Sequence, residues 1–88
     1  MTKLYIYCLY DKDDALVGVY SSLKAVHRDA IKICNKGFSP VLVNYGDGVA
    51  QPTSLTLLRN LFKGSIDTKV TYVSDTSKAV ILKTKLKE

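Results

Sequence analysis

Side chains that carry out acid–base or nucleophilic catalysis are scarce in this chain of 88 residues, which has one histidine, one glutamate and two cysteines. The glutamate is the last residue, Glu88, and His27 precedes Arg28 in a stretch with helical periodicity. An enzyme needs a positioned acid, base or nucleophile, and the periodicity places Cys34 on the apolar side of the same helix, away from any candidate base. We therefore expect a noncatalytic protein without a cofactor, in which His27 is a partly exposed structural residue.

Cysteine pairs and metal-ligand clusters are also missing. Cys8 and Cys34 have neither Cys-x-x-Cys spacing nor a histidine cluster beside them, so we expect both to be reduced residues of the core. The acidic run at residues 11–14 contains three aspartates, but it lacks the spacing and the distal glutamate of a calcium loop. It is predicted to be a polar hairpin turn, and no metal site is expected.

Long hydrophobic runs are absent as well. Spanning a bilayer takes roughly 20 apolar residues in succession, and no run in the chain approaches that length. The apolar stretch at residues 4–10 ends at Asp11, which makes it too short for the core of a signal peptide. We expect a cytoplasmic protein that does not contact membranes.

The composition is that of a folded domain, with 47% of residues hydrophobic and 24% charged. A second core would leave each half too small to fold unaided, so residues 1–88 are predicted to form one domain. Strand-forming runs, capping residues and turn residues predict the order ββαβαββ. The predicted elements are strands at 4–10 and 15–20, a helix from 23 to Gly37, a strand at 40–45, a loop at 46–51, a helix from 52 to Gly64, and strands at 68–74 and 78–87. We expect an α+β fold in which an antiparallel-rich sheet carries both helices on one face.

Positive charge is in excess, because 13 Lys and Arg residues stand against 8 Asp and Glu and give a net charge of +5. This excess favours a polyanionic partner. Four basic residues of the first helix follow one another at a spacing of four and form one stripe: Lys24, Arg28, Lys32 and Lys36. Like charges at this spacing destabilise a helix by roughly 0.2–0.5 kcal/mol per pair, a cost that a bound polyanion would relieve. The alternative is a solvated face, supported by Asp29 and by the favourable position of lysines near a helix C-terminus.

A second basic group is predicted on the sheet. Alternation in the last strand places Lys83, Lys85 and Lys87 on one sheet face. Tyr5 and Tyr7 likewise share a face of the first strand. On an open face, lysines beside tyrosines would hold phosphates and stack bases, as in proteins that bind single-stranded nucleic acid. The alternative is that the lysines protect a terminal strand from aggregation and the tyrosines pack at the rim of the core.

The junction between the first hairpin and the first helix resembles known proteins. The run Leu16-Val17-Gly18-Val19-Tyr20-Ser21-Ser22, followed by a helix with Ala25 and Ala30, resembles small accessory proteins encoded by bacteriophages, over residues 4–37. The resemblance implies a small cytosolic protein that acts by binding, often to block a host enzyme or defence system and sometimes through RNA. A basic, RNA-binding antagonist of a toxin–antitoxin ribonuclease is one kind of protein it would be similar to.

Two functional hypotheses follow. The first is a noncatalytic protein that contacts RNA or single-stranded nucleic acid through the helix stripe and the lysine-lined strand. The second is an inhibitor or adaptor that docks directly on a host or toxin protein through a sheet edge, the tyrosines or the loop at residues 46–51, with basic residues steering association. A homo-oligomer formed by pairing of an edge strand is compatible with both.

Overall fold

The computed structural model describes residues 5–34, 41–45, 49–63, 68–75 and 77–85. Within these ranges the chain forms six strands and two helices. Their bounds are β1 Tyr5–Tyr10, β2 Leu16–Tyr20, α1 Leu23–Cys34, β3 Leu42–Tyr45, β4 Val49–Pro52, α2 Leu55–Phe62, β5 Thr68–Val73 and β6 Lys78–Lys85. The seven elements predicted from the sequence are all present in their predicted order, which confirms the α+β class.

All strands pair antiparallel in one sheet of order β2-β1-β6-β5-β3-β4. The first and last strands are neighbours in the interior of the sheet, where Tyr5 to Tyr10 of β1 pair with Lys85 to Val80 of β6. The two predicted hairpins are therefore joined directly through β1 and β6. This pairing fixes which side chains of the two hairpins share a face, since residues directly opposite in a ladder lie on the same side of the sheet.

Strand β4 corrects the prediction of a loop at residues 46–51. Val49 to Pro52 pair with β3, from Tyr45 opposite Val49 to Leu42 opposite Pro52, so the second helix begins after Ser54 and not at Pro52. A proline is compatible with a strand only where its missing N–H removes no ladder hydrogen bond, as on an outer strand, and β4 is the outermost strand on its side. Residues 46–48 lie outside the described residues.

Both helices begin at serines, of which Ser22 is one of the two cap candidates that the sequence predicts and Ser54 was placed inside the predicted second helix. The hydroxyl of Ser22 accepts a hydrogen bond from the backbone N–H of Ala25 at 3.3 Å, and that of Ser54 accepts one from Leu57 at 3.0 Å. Each satisfies a backbone donor that the first helical turn leaves without an intrahelical partner. Helix α2 has 8 residues, about two turns, and is shorter than the predicted range.

The core lies between the helices and one face of the sheet. Alternate residues of β6 are buried, namely Ala79, Ile81 and Lys83, whereas those between them are only partly buried. The buried cluster is completed by Leu9, Val43, Val70 and Tyr72 from the sheet, Val26, Ala30 and Cys34 from α1, and Leu58 and Phe62 from α2. Because the sheet residues of this cluster share one face, both helices cover that face, as predicted.

The opposite face of the sheet is largely apolar and is not covered by any of the described residues. It carries the alternate side chains of the same strands: Ile6, Cys8 and Tyr10 of β1, Val80 and Leu82 of β6, Val73 of β5 and Leu42 of β3, none of which is buried. Polar side chains share this face, namely Lys69 and Thr71 of β5 and Lys78 and Thr84 of β6. The smallest dimension of the molecule is 19 Å, the thickness of one helix layer on one sheet. Among the described residues, neither helix has the length and apolar composition that crossing a membrane requires.

Candidate functional site

The outer face of α1 carries the basic stripe that the sequence predicts. Lys24, Arg28 and Lys32 are all exposed, one helical turn apart. On the opposite side of the same helix, Val26 and Ala30 are 0% exposed and face the sheet. The fourth predicted member, Lys36, lies outside the described residues. The sequence prediction therefore holds for the placement of three cations.

One carboxylate, Asp29, lies beside this stripe and is already engaged in structure. Its Oδ2 accepts a hydrogen bond of 2.6 Å from the hydroxyl of Tyr20, and its Oδ1 lies 3.3 Å from Nε of Arg28. The Tyr20 hydrogen bond, followed by Arg28, lowers the pKa of Asp29, and the same bond raises the pKa of Tyr20. Asp29 thus ties α1 to β2, while the side chain of Arg28 remains 62% exposed and available to a ligand.

Gly18 makes room for this tie between the strand and the helix. A Cβ atom at Gly18 would lie 3.2 Å from the ring and the hydroxyl of Tyr20, closer than side chains normally approach. The absence of a side chain lets the Tyr20 ring cross the strand toward Asp29. Gly18, Tyr20 and Asp29 therefore add a polar tie between β2 and α1 at the edge of the core.

Helix α2 extends the basic surface. It packs against α1 and presents Arg59 and Lys63, both exposed, away from the buried Leu58 and Phe62. In the described part of the two helices and their caps, five exposed cations (Lys24, Arg28, Lys32, Arg59 and Lys63) accompany a single carboxylate. We call this set the helix-layer cations.

Arg59 and Lys63 were not among the residues singled out from the sequence. The apolar positions of α2 do leave them on its outer side, so the signal was present in the periodicity. That they lie on the same layer as the α1 stripe depends on the packing of α2 against α1, which the sequence pattern does not contain.

Lys83 corrects the prediction of a lysine-lined open face. It is only 8% exposed, its Nζ donates a hydrogen bond of 2.7 Å to the carbonyl oxygen of Phe62, and it lies 4.5 Å from the centre of the Tyr5 ring. The alternation was right, but the face it defines is the one under the helices. A cation at the last carbonyl of a helix is favoured by the helix dipole and satisfies an acceptor left without an intrahelical partner.

The same correction applies to the tyrosines and to the rest of the predicted platform. Tyr7 packs against Phe62 with ring centroids 5.7 Å apart, and burial raises its pKa. With Tyr5 under Lys83, both tyrosines lie at the rim of the core, which was the alternative left open by the sequence. Lys85 is exposed at the end of β6, and Lys87 lies outside the described residues. An open platform of Tyr5, Tyr7 and Lys83 is therefore not formed.

His27 faces the core and does not join the basic stripe. Its Nδ1 lies 2.7 Å from the hydroxyl of Tyr72, and the two rings meet edge-on at 5.7 Å. Burial lowers the pKa of His27 and raises that of Tyr72. A partly buried histidine hydrogen-bonded to a buried tyrosine is the structural role that the sequence predicts.

The two cysteines have different surroundings. Cys34 is buried, its thiol lies 3.6 Å from the carbonyl oxygen of Tyr72, and burial raises its pKa. Cys8 is also a free thiol, but its strand position places it on the uncovered sheet face, so the prediction that it is a core residue is wrong. Across the described ranges, no three histidine, cysteine, aspartate or glutamate side chains come together as a metal ion would require.

The acidic run forms the predicted hairpin turn. Oδ1 of Asp11 accepts hydrogen bonds from the backbone N–H groups of Asp13 and Ala15, at 2.9 and 3.0 Å. Asp14 adopts a positive φ of 61°, a conformation that aspartate tolerates better than most residues. Its N–H donates to the carbonyl oxygen of Asp11 at 3.1 Å. The turn is therefore ordered by its own side chains.

The uncovered sheet face is a second candidate surface. At its β2 edge, Leu16, Val17 and Val19 are 56%, 47% and 55% exposed. Next to this edge is a shallow depression of about 350 Å³, lined by Tyr10, Asp14, Lys69, Val80 and Leu82. Sequence reasoning missed this surface because both faces of β1 and β6 are apolar in their central residues, and alternation does not indicate which of two apolar faces is covered.

Comparison with known proteins found no family model that matches this chain, and no curated protein or solved structure with significant similarity to it. What the molecule binds is therefore inferred from the chemistry of its own two surfaces.

Proposed function

We propose that this protein is a noncatalytic binding protein that holds the phosphate backbone of RNA or single-stranded nucleic acid against its helix layer. The observation that carries the proposal is the charge of that layer, where five exposed cations accompany one carboxylate that is already hydrogen-bonded to Tyr20. Clustered cations on one face bind phosphates by releasing counterions, independently of sequence. The activity requires no acid, base or cofactor.

The distribution of acidic residues supports the same surface. The described aspartates other than Asp29 lie in the turns between strands, at Asp11, Asp13, Asp14 and Asp75. The described carboxylates are thus concentrated in the hairpin turns, and Asp29 is the one among them that lies on a helix. A polyanion meets little repulsion on the helix layer, and the field of the cations would speed its association.

The covered position of Tyr5 and Tyr7 changes what kind of binding is expected. Base stacking on exposed aromatic rings supplies much of the affinity of many single-strand binders, and neither ring is placed for it here. Contacts to phosphate position a nucleic acid but do not read its bases. We therefore propose binding that tolerates many sequences and depends steeply on salt.

The test is a fluorescence anisotropy titration of a labelled single-stranded RNA, and of the matching DNA duplex, over a series of salt concentrations. A K24Q/K32Q variant removes two helix-layer cations, and a K12Q/K78Q variant removes two lysines outside that layer with the same loss of charge. If each helix lysine contacts one phosphate, the slope of log affinity against log salt becomes shallower by about 1.4 in K24Q/K32Q only. An equal change in both variants would mean that net charge alone drives binding, and the helix layer would not be the site.

A second candidate function is that of an inhibitor or adaptor that docks directly on a partner protein, such as the host enzyme or toxin–antitoxin ribonuclease implied by the bacteriophage resemblance. The exposed Leu16, Val17 and Val19 favour it, since contiguous apolar patches mark protein interaction sites. This function predicts a complex of fixed stoichiometry that survives nuclease treatment. Loss of the complex after nuclease treatment would contradict direct docking and support binding to nucleic acid.

We place either function in the cytoplasm. Cys8 and Cys34 are both free thiols, and reduced cysteines are typical of proteins kept in a reducing compartment. Fractionation of cells that express the tagged chain tests this assignment, and recovery with membranes would contradict it.

A further inference from the structure

We propose that the uncovered sheet face is the interface of a homodimer in which two copies pack face to face, with Asp14 of each copy opposite Lys69 of the other. The inference does not depend on the proposed function, because it concerns the side of the sheet away from the helices. It makes the dimer a four-layer structure, helices outside and two sheets inside.

The apolar character of the face is the first argument. Side chains of four strands contribute to it, among them Cys8, Tyr10, Val80 and Leu82, and its β2 corner adds three aliphatic residues that are about half exposed. An apolar sheet face is normally buried against another layer. Two such faces pack well on each other about 10 Å apart, with their strands either nearly aligned or crossed near a right angle.

The charges at the depression indicate that a second copy of the chain covers this face. Asp14 and Lys69, both exposed, line the same apolar depression together with Tyr10, Val80 and Leu82. Consider a two-fold axis that lies midway between the two sheets and parallel to them. It runs perpendicular to the line from Asp14 to Lys69 and passes over the midpoint of that line. That operation brings the carboxylate of each copy over the ammonium of the other, so the contact forms twice in one interface, and it places the apolar lining residues of the two depressions against each other. The face is therefore complementary to itself, which is what a two-fold dimer requires.

The position of Asp14 is fixed before any partner arrives. The turn that holds it is closed by the backbone hydrogen bond between the N–H of Asp11 and the carbonyl oxygen of Ala15 at 3.0 Å, and by the two bonds to the Asp11 carboxylate. An ordered backbone loses less conformational entropy on binding. The turn thus holds the backbone of Asp14 in one place for a defined contact.

The net charge of +5 per copy does not oppose this arrangement. The helix-layer cations lie on the side of each copy that faces away from the partner, and each copy is 19 Å thick. At physiological salt, charges separated by much more than the Debye length of about 8 Å are largely screened. The cations of the two copies therefore stay apart on opposite outer surfaces of the dimer.

Pairing through the β2 edge is the less favourable way to associate. The register of β1 and β2 shifts between Leu9 and Tyr10, so that Val17 is an extra residue and forms a bulge. Bulges twist an edge strand and hinder pairing with another chain. Packing face to face instead leaves the bulge in place and covers Val19 and its apolar neighbours.

The experiment is sedimentation velocity of the full chain from about 1 μM to about 1 mM, with the single charge reversals D14K and K69D. Each variant alone would place like charges together twice, so we expect dimerisation at least about 10-fold weaker than in the unmodified chain. An equimolar mixture of D14K and K69D has opposite charges at both contacts. It should restore the dimer, and native mass spectrometry with one variant isotopically labelled should show it to be the mixed species.

Matched controls separate the contact from net charge and from misfolding. D13K and K12D make the same changes of charge in the same turn, at residues that do not line the depression, and both should dimerise like the unmodified chain. V19K places an ammonium on the exposed β2 corner, where the folded monomer tolerates it, and should abolish the dimer without lowering Tm in dilute solution.

An unmodified chain that remains monomeric at the highest concentration would overturn the proposal, whether or not another protein binds the face. A dimer that V19K leaves intact would also overturn it, because the copies would then meet elsewhere. A dimer that the mixture of D14K and K69D does not restore would disprove the paired charges.

Discussion

The two faces of the sheet are built from alternate residues of the same strands, and they differ in what covers them. On β6, Ile81 is 0% exposed beneath α1, whereas Leu82, the next residue, lies on the face that no described residue covers. One face of the sheet is therefore enough to form the buried core with the two helices. The other is equally rich in aliphatic side chains without a role in that core, so its composition is better explained by an interaction between molecules than by folding.

The largest expected contrast between the faces is in stability. Ile81→Ala should lower the free energy of unfolding by about 3 kcal/mol, since it removes buried methyl groups and leaves a cavity. Leu82→Ala should cost less than about 1 kcal/mol in dilute protein, because the side chain is only partly buried there. Urea unfolding monitored by circular dichroism measures both. Equal losses would mean that the second face is covered within one copy of the chain.

The second contrast is between two lysines that share a face of β6. Lys83→Met should lower the free energy of unfolding by about 2 kcal/mol, because it removes a charged hydrogen bond to the last carbonyl of α2 and leaves that oxygen unsatisfied. Lys85→Met, at the exposed end of the same strand, is the matched control and should have little effect. The same urea titration applies, and comparable stabilities of the two variants would rule out Lys83 as a cap of α2.

A smaller contrast is expected between two tyrosines on opposite faces. Tyr20→Phe removes the hydrogen bond to Asp29 that ties β2 to α1, so it should lower Tm, though by less than Lys83→Met does. Tyr10→Phe, on the uncovered face, removes the same atom at a position where the hydroxyl lies near solvent, and Tm should stay unchanged. A larger decrease in Tm for Tyr10→Phe than for Tyr20→Phe would contradict the structural role assigned to the Tyr20 hydroxyl.

The smallest expected effect is a pH dependence that comes from the covered face. Burial lowers the pKa of His27 below its ordinary value of about 6.5, so the unfolded chain binds a proton at a pH where the folded chain does not. The free energy of unfolding is therefore highest above the ordinary pKa of about 6.5. It decreases as the pH is lowered through that pKa toward the lower pKa of His27 in the folded chain. Unfolding free energies between pH 7 and 5 should decline in the unmodified chain and less in His27→Gln. Parallel profiles would mean that another group titrates.

The sequence predicted the local features of this fold well. The spacing of Val26, Ala30 and Cys34 and the capping serine identify α1 because both signals depend on neighbours within one or two turns. The acidic turn and the two hairpins are local in the same sense. The alternation along β6 and β1 was also right, so the placement of Lys83 and Lys85 on one face of their strand, and of Tyr5 and Tyr7 on one face of theirs, could be predicted.

What could not be predicted depends on contacts between distant segments. Both faces of β6 are apolar at its centre, so nothing in the strand itself says that the helices cover Lys83 and leave Leu82. The pairing of Val49 of β4 with Tyr45 of β3 and the packing of α2 against α1 are tertiary for the same reason. The sequence therefore predicted only the part of the candidate site that lies on the single helix α1.

The claim that the helix side, and not the uncovered sheet face, binds phosphates is tested most directly by two-dimensional amide NMR of the labelled chain during addition of a single-stranded RNA at physiological salt. We predict that the shifted signals belong to Lys24 through Lys32 and to Arg59 and Lys63, with those of Cys8, Val19, Val80 and Leu82 unchanged. Shifts concentrated on the latter residues, with α1 unaffected, would contradict the assignment of the two surfaces.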